Sequence, residues 1–115
     1  MTYKEMKRVV HSQLKEVLKT RDAGQKEYAH DTDNVFANFE RSSSLLDIPR
    51  DKALMVFLLK HIDGIGAYVK GHKSQREDVS GRITDAIVYL CLLRGMIEDE
   101  KNRWKKHIVY IMWRM

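Results

Sequence analysis

Asp78-Val79-Ser80-Gly81-Arg82-Ile83-Thr84-Asp85-Ala86-Ile87-Val88-Tyr89-Leu90-Cys91-Leu92-Leu93 reads as one helix beginning near Glu77 or Asp78. At about 100° per residue, Asp78, Arg82, Asp85 and Tyr89 fall on one stripe that continues as Leu92, Leu93 and Met96. From Ala86 to Leu93 the segment is apolar on nearly all sides, which predicts a central buried element.

Upstream of this helix, Asp47-Ile48-Pro49 is a helix start, because proline suits a first turn that needs no backbone donor. The helix it opens is expected over 50–69, ending near Gly71 and followed by the polar loop His72-Lys73-Ser74-Gln75-Arg76. At the other end, Thr2-Tyr3-Lys4-Glu5 has the form of a capping box. Met6, Val9, Val10, Gln13, Leu14, Val17 and Leu18 follow at helical spacing, so a first helix runs from about residue 3 to the low twenties. Asp22-Ala23-Gly24 weakens that pattern, and Gln25 to Ala29 continues or restarts a helix before His30-Asp31-Thr32-Asp33. Val35, Phe36 and Phe39, with Leu45 and Leu46, predict a short second helix entered through an Asp33 or Asn34 cap.

The tail fits two periods. Trp104, Ile108, Ile111, Met112 and Met115 have helical spacing, while Ile108 to Trp113 also reads as a short strand; helix is the preferred reading. So many large apolar groups at one end predict packing against another subunit. The expected fold is an all-α bundle of four to five helices in one domain, 1–115, with an apolar C-terminal helix used in oligomerisation.

A chain of 115 residues can bury one hydrophobic core. With 43% hydrophobic and 32% charged residues and a single proline, the composition is that of a globular helical protein and not of a disordered one. The only cysteine, Cys91, rules out an intrachain disulfide or a cysteine-based metal site. The charged amino terminus lacks the apolar stretch of a signal peptide, and no run approaches the roughly 20 apolar residues that span a bilayer. A cytoplasmic protein without a membrane role is expected. The net charge of +5 favours an anionic partner, but the basic residues have no interleaved aromatics, which makes nucleic acid the weaker choice.

The polar stripe of the Asp78 helix runs into apolar surface, which places its charges where they must be paired or bind a ligand. The preceding helix repeats the feature, since Lys60 and Asp63 share a stripe with Val56 and Ala67. One reading makes Lys60, Asp63, Arg82 and Asp85 inter-helix salt bridges. The other makes them a metal–phosphate site, with Asp63 and Asp85 suited to Mg²⁺ and Lys60 and Arg82 to phosphate oxygens. His61 lies on the apolar side of its helix beside Phe57 and Ile65 and reads as a core histidine. No zinc, phosphate-loop or nucleophile-elbow motif occurs, and Gly64-Ile65-Gly66 lies inside a helical pattern.

Four segments carry a family resemblance: Lys26-Glu27-Tyr28-Ala29, Asn34-Val35-Phe36-Ala37-Asn38-Phe39, Leu58-Leu59-Lys60-His61-Ile62-Asp63, and Gly81-Arg82-Ile83-Thr84-Asp85-Ala86-Ile87-Val88-Tyr89-Leu90. In their order and spacing the chain resembles small phage and prophage proteins related to the all-α nucleotide pyrophosphohydrolases of the MazG type. The similar core spans 26–98, leaving 100–115 as a C-terminal extension. The resemblance implies an oligomeric bundle in the cytoplasm of a bacterial host, binding a nucleotide or phosphorylated small molecule with Mg²⁺. It implies Asp63 and Asp85 as metal ligands, Lys60 and Arg82 on phosphate, and Glu27, Asn34 and Asn38 near base or sugar; Tyr89, on the same stripe as Arg82 and Asp85, is counted among the ligand-binding residues. The family resembles this chain less at its acidic pairs: Glu-x-x-Glu and Glu-x-x-Asp are replaced by Lys60-x-x-Asp63 and Arg82-x-x-Asp85. A two-metal centre needs several anionic oxygens, so binding without turnover is an expectation beside Mg²⁺-dependent pyrophosphate release. The alternative is a non-catalytic, phage-encoded inhibitor of host defence that sequesters a nucleotide signal or covers a host protein.

Overall fold

The computed structural model describes residues 1–28, 33–74 and 76–115. Ala29 to Thr32 and Gln75 lie outside the described residues, and with them the expected helix end at Ala29, the break from His30 to Thr32 and the middle of the 72–76 loop. Four helices and no strand occur among the described residues: α1 (Tyr3–Tyr28), α2 (Ala37–Leu46), α3 (Arg50–Val69) and α4 (Val79–Arg114). None is long and apolar enough to cross a membrane.

Local signals account for most boundaries. The capping box forms reciprocally at α1: the Glu5 amide donates to Thr2 Oγ1 at 3.1 Å, and the Thr2 amide donates to Glu5 Oε2 at 2.9 Å. α1 then runs through Gly24 to Tyr28. One glycine costs a helix about 1 kcal/mol, which the strong helix formers on either side offset. Asn34 positions the entry to α2, its Oδ1 accepting the Phe36 amide at 3.1 Å. Asp47 ends that helix in the left-handed region at φ 55°. Pro49 stands just before α3, where its carbonyl accepts the Ala53 amide at 3.1 Å. Gly71, at φ 109°, closes α3 in a conformation that L residues with side chains rarely adopt.

The tail is helical and is not a separate element. Neither proline nor a helix-ending glycine interrupts α4 after Gly95, so it continues to Arg114. Pairs one turn apart support its outer face: Arg94 with Glu98 at 3.1 Å, Lys101 with Glu98 at 3.7 Å, and Arg103 with Asp99 at 3.5 Å.

α3 and α4 form an antiparallel pair, with α1 laid on α4 and α2 on α3. Their shared centre is Phe39, Leu54 and Met96, with Phe36, Phe57, Tyr89, Leu92 and Leu93 packed around it. The stretch from Ala86 to Leu93, apolar on nearly all sides and expected to be the central buried element, is buried on one side only. Ala86 and Val88 are buried, but Leu90 and Cys91 are exposed. Its neighbours cover only one side, and an apolar sequence does not by itself supply a fourth wall.

The chain is therefore extended for its size. Its radius of gyration is 17.9 Å, against about 13 Å for a compact domain of this length. Its accessible surface is 9193 Å², where a folded monomer of 13.6 kDa presents about 6,600 Å².

Arg50 ties the bundle's far end together. Its guanidinium reaches Glu40 on α2 at 3.2 Å and Asp99 and Glu100 on α4 at 2.7 and 3.1 Å, and stacks 4.7 Å from the Phe36 ring centroid. The hydrogen bond from Arg50 holds the Asp99 carboxyl below its ordinary value of 3.8. A carboxyl lowered in the folded state contributes stability that is full above its unfolded pKa and lost as pH falls through the folded one. Thermal stability is thus expected to drop as pH is taken below about 4, and an Arg50→Ala variant to be less stable at neutral pH with a flatter acid limb. Melting curves by circular dichroism from pH 7 to pH 2 would check this; parallel acid limbs for both proteins would refute it.

Candidate functional site

A cavity of about 520 Å³ opens between the last turns of α1, the start of α2, and the facing sides of α3 and α4. That volume is within the range of about 300–1,000 Å³ usual for small-molecule sites. Its aromatic wall arises from side chains one turn apart on the antiparallel α3 and α4. Phe57 and Tyr89 stack at 6.3 Å with 5° between their planes, and His61 lies 5.5 Å from Tyr89 at 29°. Phe39 meets Phe57 and Tyr89 edge-on at 6.0 and 6.1 Å, closing the floor against the core.

The polar groups sit around that wall. Arg21, Glu27 and Tyr28 come from α1, Asn38 from α2, Lys60 from α3, Asp85 from α4, and Glu77 from the residues leading into α4. Burial raises the pKa of Tyr89, and the negative charge of Asp85 adds to it. Burial and then Glu27 raise that of Tyr28. Both phenols stay protonated at neutral pH and can donate. His61 is buried, and its Nδ1 points at Asp85 Oδ2 from 3.8 Å, beyond hydrogen-bond reach. Among the described residues His61 Nδ1 has no hydrogen-bond partner.

Of the residues singled out in the sequence, Glu27, Asn38, Lys60, Asp85 and Tyr89 line this cavity together. Asn34 does not line it; its amide donates to Glu40 Oε2 at 2.6 Å instead. Asp63 is exposed and lies outside the lining. Arg82 lies behind it, with its Nη1 3.6 Å from Glu77 Oε2, while Lys60 Nζ is 4.0 Å from Glu77 Oε1. The two cations thus converge on Glu77, read from sequence only as a helix start, and not on Asp63 and Asp85.

Gly64, which the sequence places only inside a helical pattern, has a packing role here. A Cβ there would overlap the Arg82 guanidinium, so the missing side chain makes the slot in which Arg82 lies against α3. The signal available was a glycine inside a helix, where its cost requires a packing reason. Arg82 Nε is buried in this slot and has no hydrogen-bond partner among the described residues.

The residues present do not fit a preformed two-metal centre. Among the described residues no three histidine, cysteine or acidic side chains come together as a metal-holding group. Two of the lining carboxylates already face cations or imidazole, Glu77 with Lys60 and Arg82 and Asp85 with His61. What the arrangement offers is an aromatic wall, hydroxyl and amide donors, and two cations in the lining, Arg21 and Lys60. Comparison with protein-family models, with curated proteins and with solved structures finds no match.

Proposed function

We propose that the cavity binds a nucleotide or a similar phosphorylated aromatic molecule and holds it without a built hydrolytic centre. The observation that carries this reading is the convergence of the Phe57–Tyr89–His61 stack with Lys60 and Arg21 on one cavity of ligand size. Aromatic faces take a planar base, worth about 1–3 kcal/mol per stacked base. Lys60 supplies a point charge for phosphate, and Glu27 and Asn38 supply acceptors and donors at the rim. Mg²⁺ enters this reading only as a counterion carried by the phosphates, with Asp85 the lining carboxylate placed to meet it, since such ions are often held by one or two carboxylates plus phosphate. This is the nucleotide-binding half of the MazG-like expectation, and it favours capture of a nucleotide, including a signalling nucleotide, over pyrophosphate release.

Calorimetry of the purified chain with nucleoside mono-, di- and triphosphates, with and without Mg²⁺, tests it. Binding is expected without pyrophosphate formation. Tyr89→Ala and Lys60→Ala are each expected to weaken binding about tenfold, the equivalent of about 1.4 kcal/mol, with Lys60→Ala acting only on phosphorylated ligands. Absence of binding across the panel would overturn the reading, and Mg²⁺-dependent pyrophosphate release would overturn its non-catalytic part.

A further inference from the structure

The outer face of α4 carries a seven-residue repeat that the cavity does not use. Ile83, Leu90, Ile97, Trp104 and Ile111 recur every seventh residue, and each is more than one third exposed. Four residues after Leu90, Ile97, Trp104 and Ile111 come Arg94, Lys101, Ile108 and Met115. The two interleaved series have the spacing of the a and d positions of a coiled coil, apolar throughout except at Arg94 and Lys101, and such a seam is usually covered by a facing helix.

The need is physical. Residues 101–115 are all exposed, so this part of α4 projects from the body with no tertiary partner among the described residues. A free helix of that length is marginal in water. The surface in excess of a compact monomer is about three times the roughly 800 Å² that each partner contributes to a standard interface.

We propose that this seam pairs with the same seam of a second copy, antiparallel. Charge selects the direction. In a parallel pair Lys101 would face Lys101 and Arg94 would face Arg94, like charges in the core of the interface. In an antiparallel pair Ile97 packs on Ile108 of the second copy and Leu90 on its Met115. Lys101 then lies over the other copy's Trp104, a cation over an aromatic face, and Arg94 lays its aliphatic stem on Ile111 while its head keeps Glu98. The flanks also match, Glu98 falling beside Lys105 and Glu100 beside His107 of the other copy. A two-fold axis relates the copies, so the contact closes on itself.

Light scattering on the purified full chain at high micromolar concentration is expected to give twice the 13.6 kDa chain mass. The Trp104→Glu/Ile108→Glu double variant is expected to run as a monomer while its body still melts cooperatively. A nitroxide on Cys91, which is the only cysteine and is exposed, reads direction. Antiparallel pairing offsets the two labels by 23 positions along α4, or about 35 Å at 1.5 Å per residue; parallel pairing brings them within about 20 Å, given helix axes about 10 Å apart. A monomeric chain, a dimer that survives the double substitution, or a label distance under 20 Å would each overturn the proposal. A monomer that binds anionic vesicles would overturn it in favour of a membrane surface. Nucleotide binding enters none of these readouts, so failure here and failure of the cavity reading are separable.

Discussion

Phe39→Ala is expected to destabilise the protein by about 3–5 kcal/mol, the usual cost of deleting a buried aromatic ring. Phe39 is 3% exposed and touches both the core and the cavity, edge-on to Phe57 and Tyr89. A domain of this size is typically stable by about 5–15 kcal/mol, so the loss should lower the melting temperature by at least about 10 °C. Because the ring also closes the cavity floor, the fraction that remains folded should bind nucleotide less well. Urea unfolding together with calorimetry checks both halves. A loss under about 0.5 kcal/mol, within the range of ordinary surface substitutions, would show that Phe39 is not central to the core.

Leu54→Ala separates the two roles. Leu54 is fully buried between Phe39 and Met96 and does not line the cavity. Its truncation is expected to cost about 2–5 kcal/mol through lost burial and the space left behind. Below the transition temperature, however, ligand affinity should match that of the unchanged protein. If Leu54→Ala weakened binding as much as Phe39→Ala, the cavity would depend on global packing and not on its own wall. The small centre of this fold makes both effects large, because few other side chains are available to compensate.

The elements were legible where the chain carries local instructions. The capping box at Thr2, the proline before Arg50 and the left-handed Gly71 each fix a boundary through one or two backbone groups, and such groups need no knowledge of the rest of the fold. The burial of α4 was not legible, because Leu90 and Cys91 have the same composition whether or not a neighbour covers them. The tail, where helix was preferred over a strand from Ile108 to Trp113, is helical as expected. Those residues suit either period, and continuity with the preceding turns of α4 tipped them to helix.

The cavity divides along the same line. Lys60, Asp85 and Tyr89 could be placed together because helical spacing sets them on facing stripes. Asp63, three positions from Lys60, is rotated about 60° away on α3, enough to leave the lining. Glu77 reads from sequence only as a helix start and Gly64 only as part of a helical pattern, because what they do depends on contact across the helix pair, Glu77 with Lys60 and Arg82, and Gly64 with the guanidinium that fills its empty position. Asn34 was spent on the turn into α2, a use its residue type announces as readily as ligand binding.

The continuity of α4 has a mechanical consequence. Asp85 and Tyr89 at the cavity and Trp104 and Ile111 in the tail ride on a single hydrogen-bonded rod. Gly95, the one glycine along that stretch, is not a free joint, since a Cβ there would meet the Phe36 ring at 3.3 Å. Asp85 and Tyr89 therefore keep a fixed distance and rotation from Trp104 and Ile111, set by the helix itself and not by the loops around it.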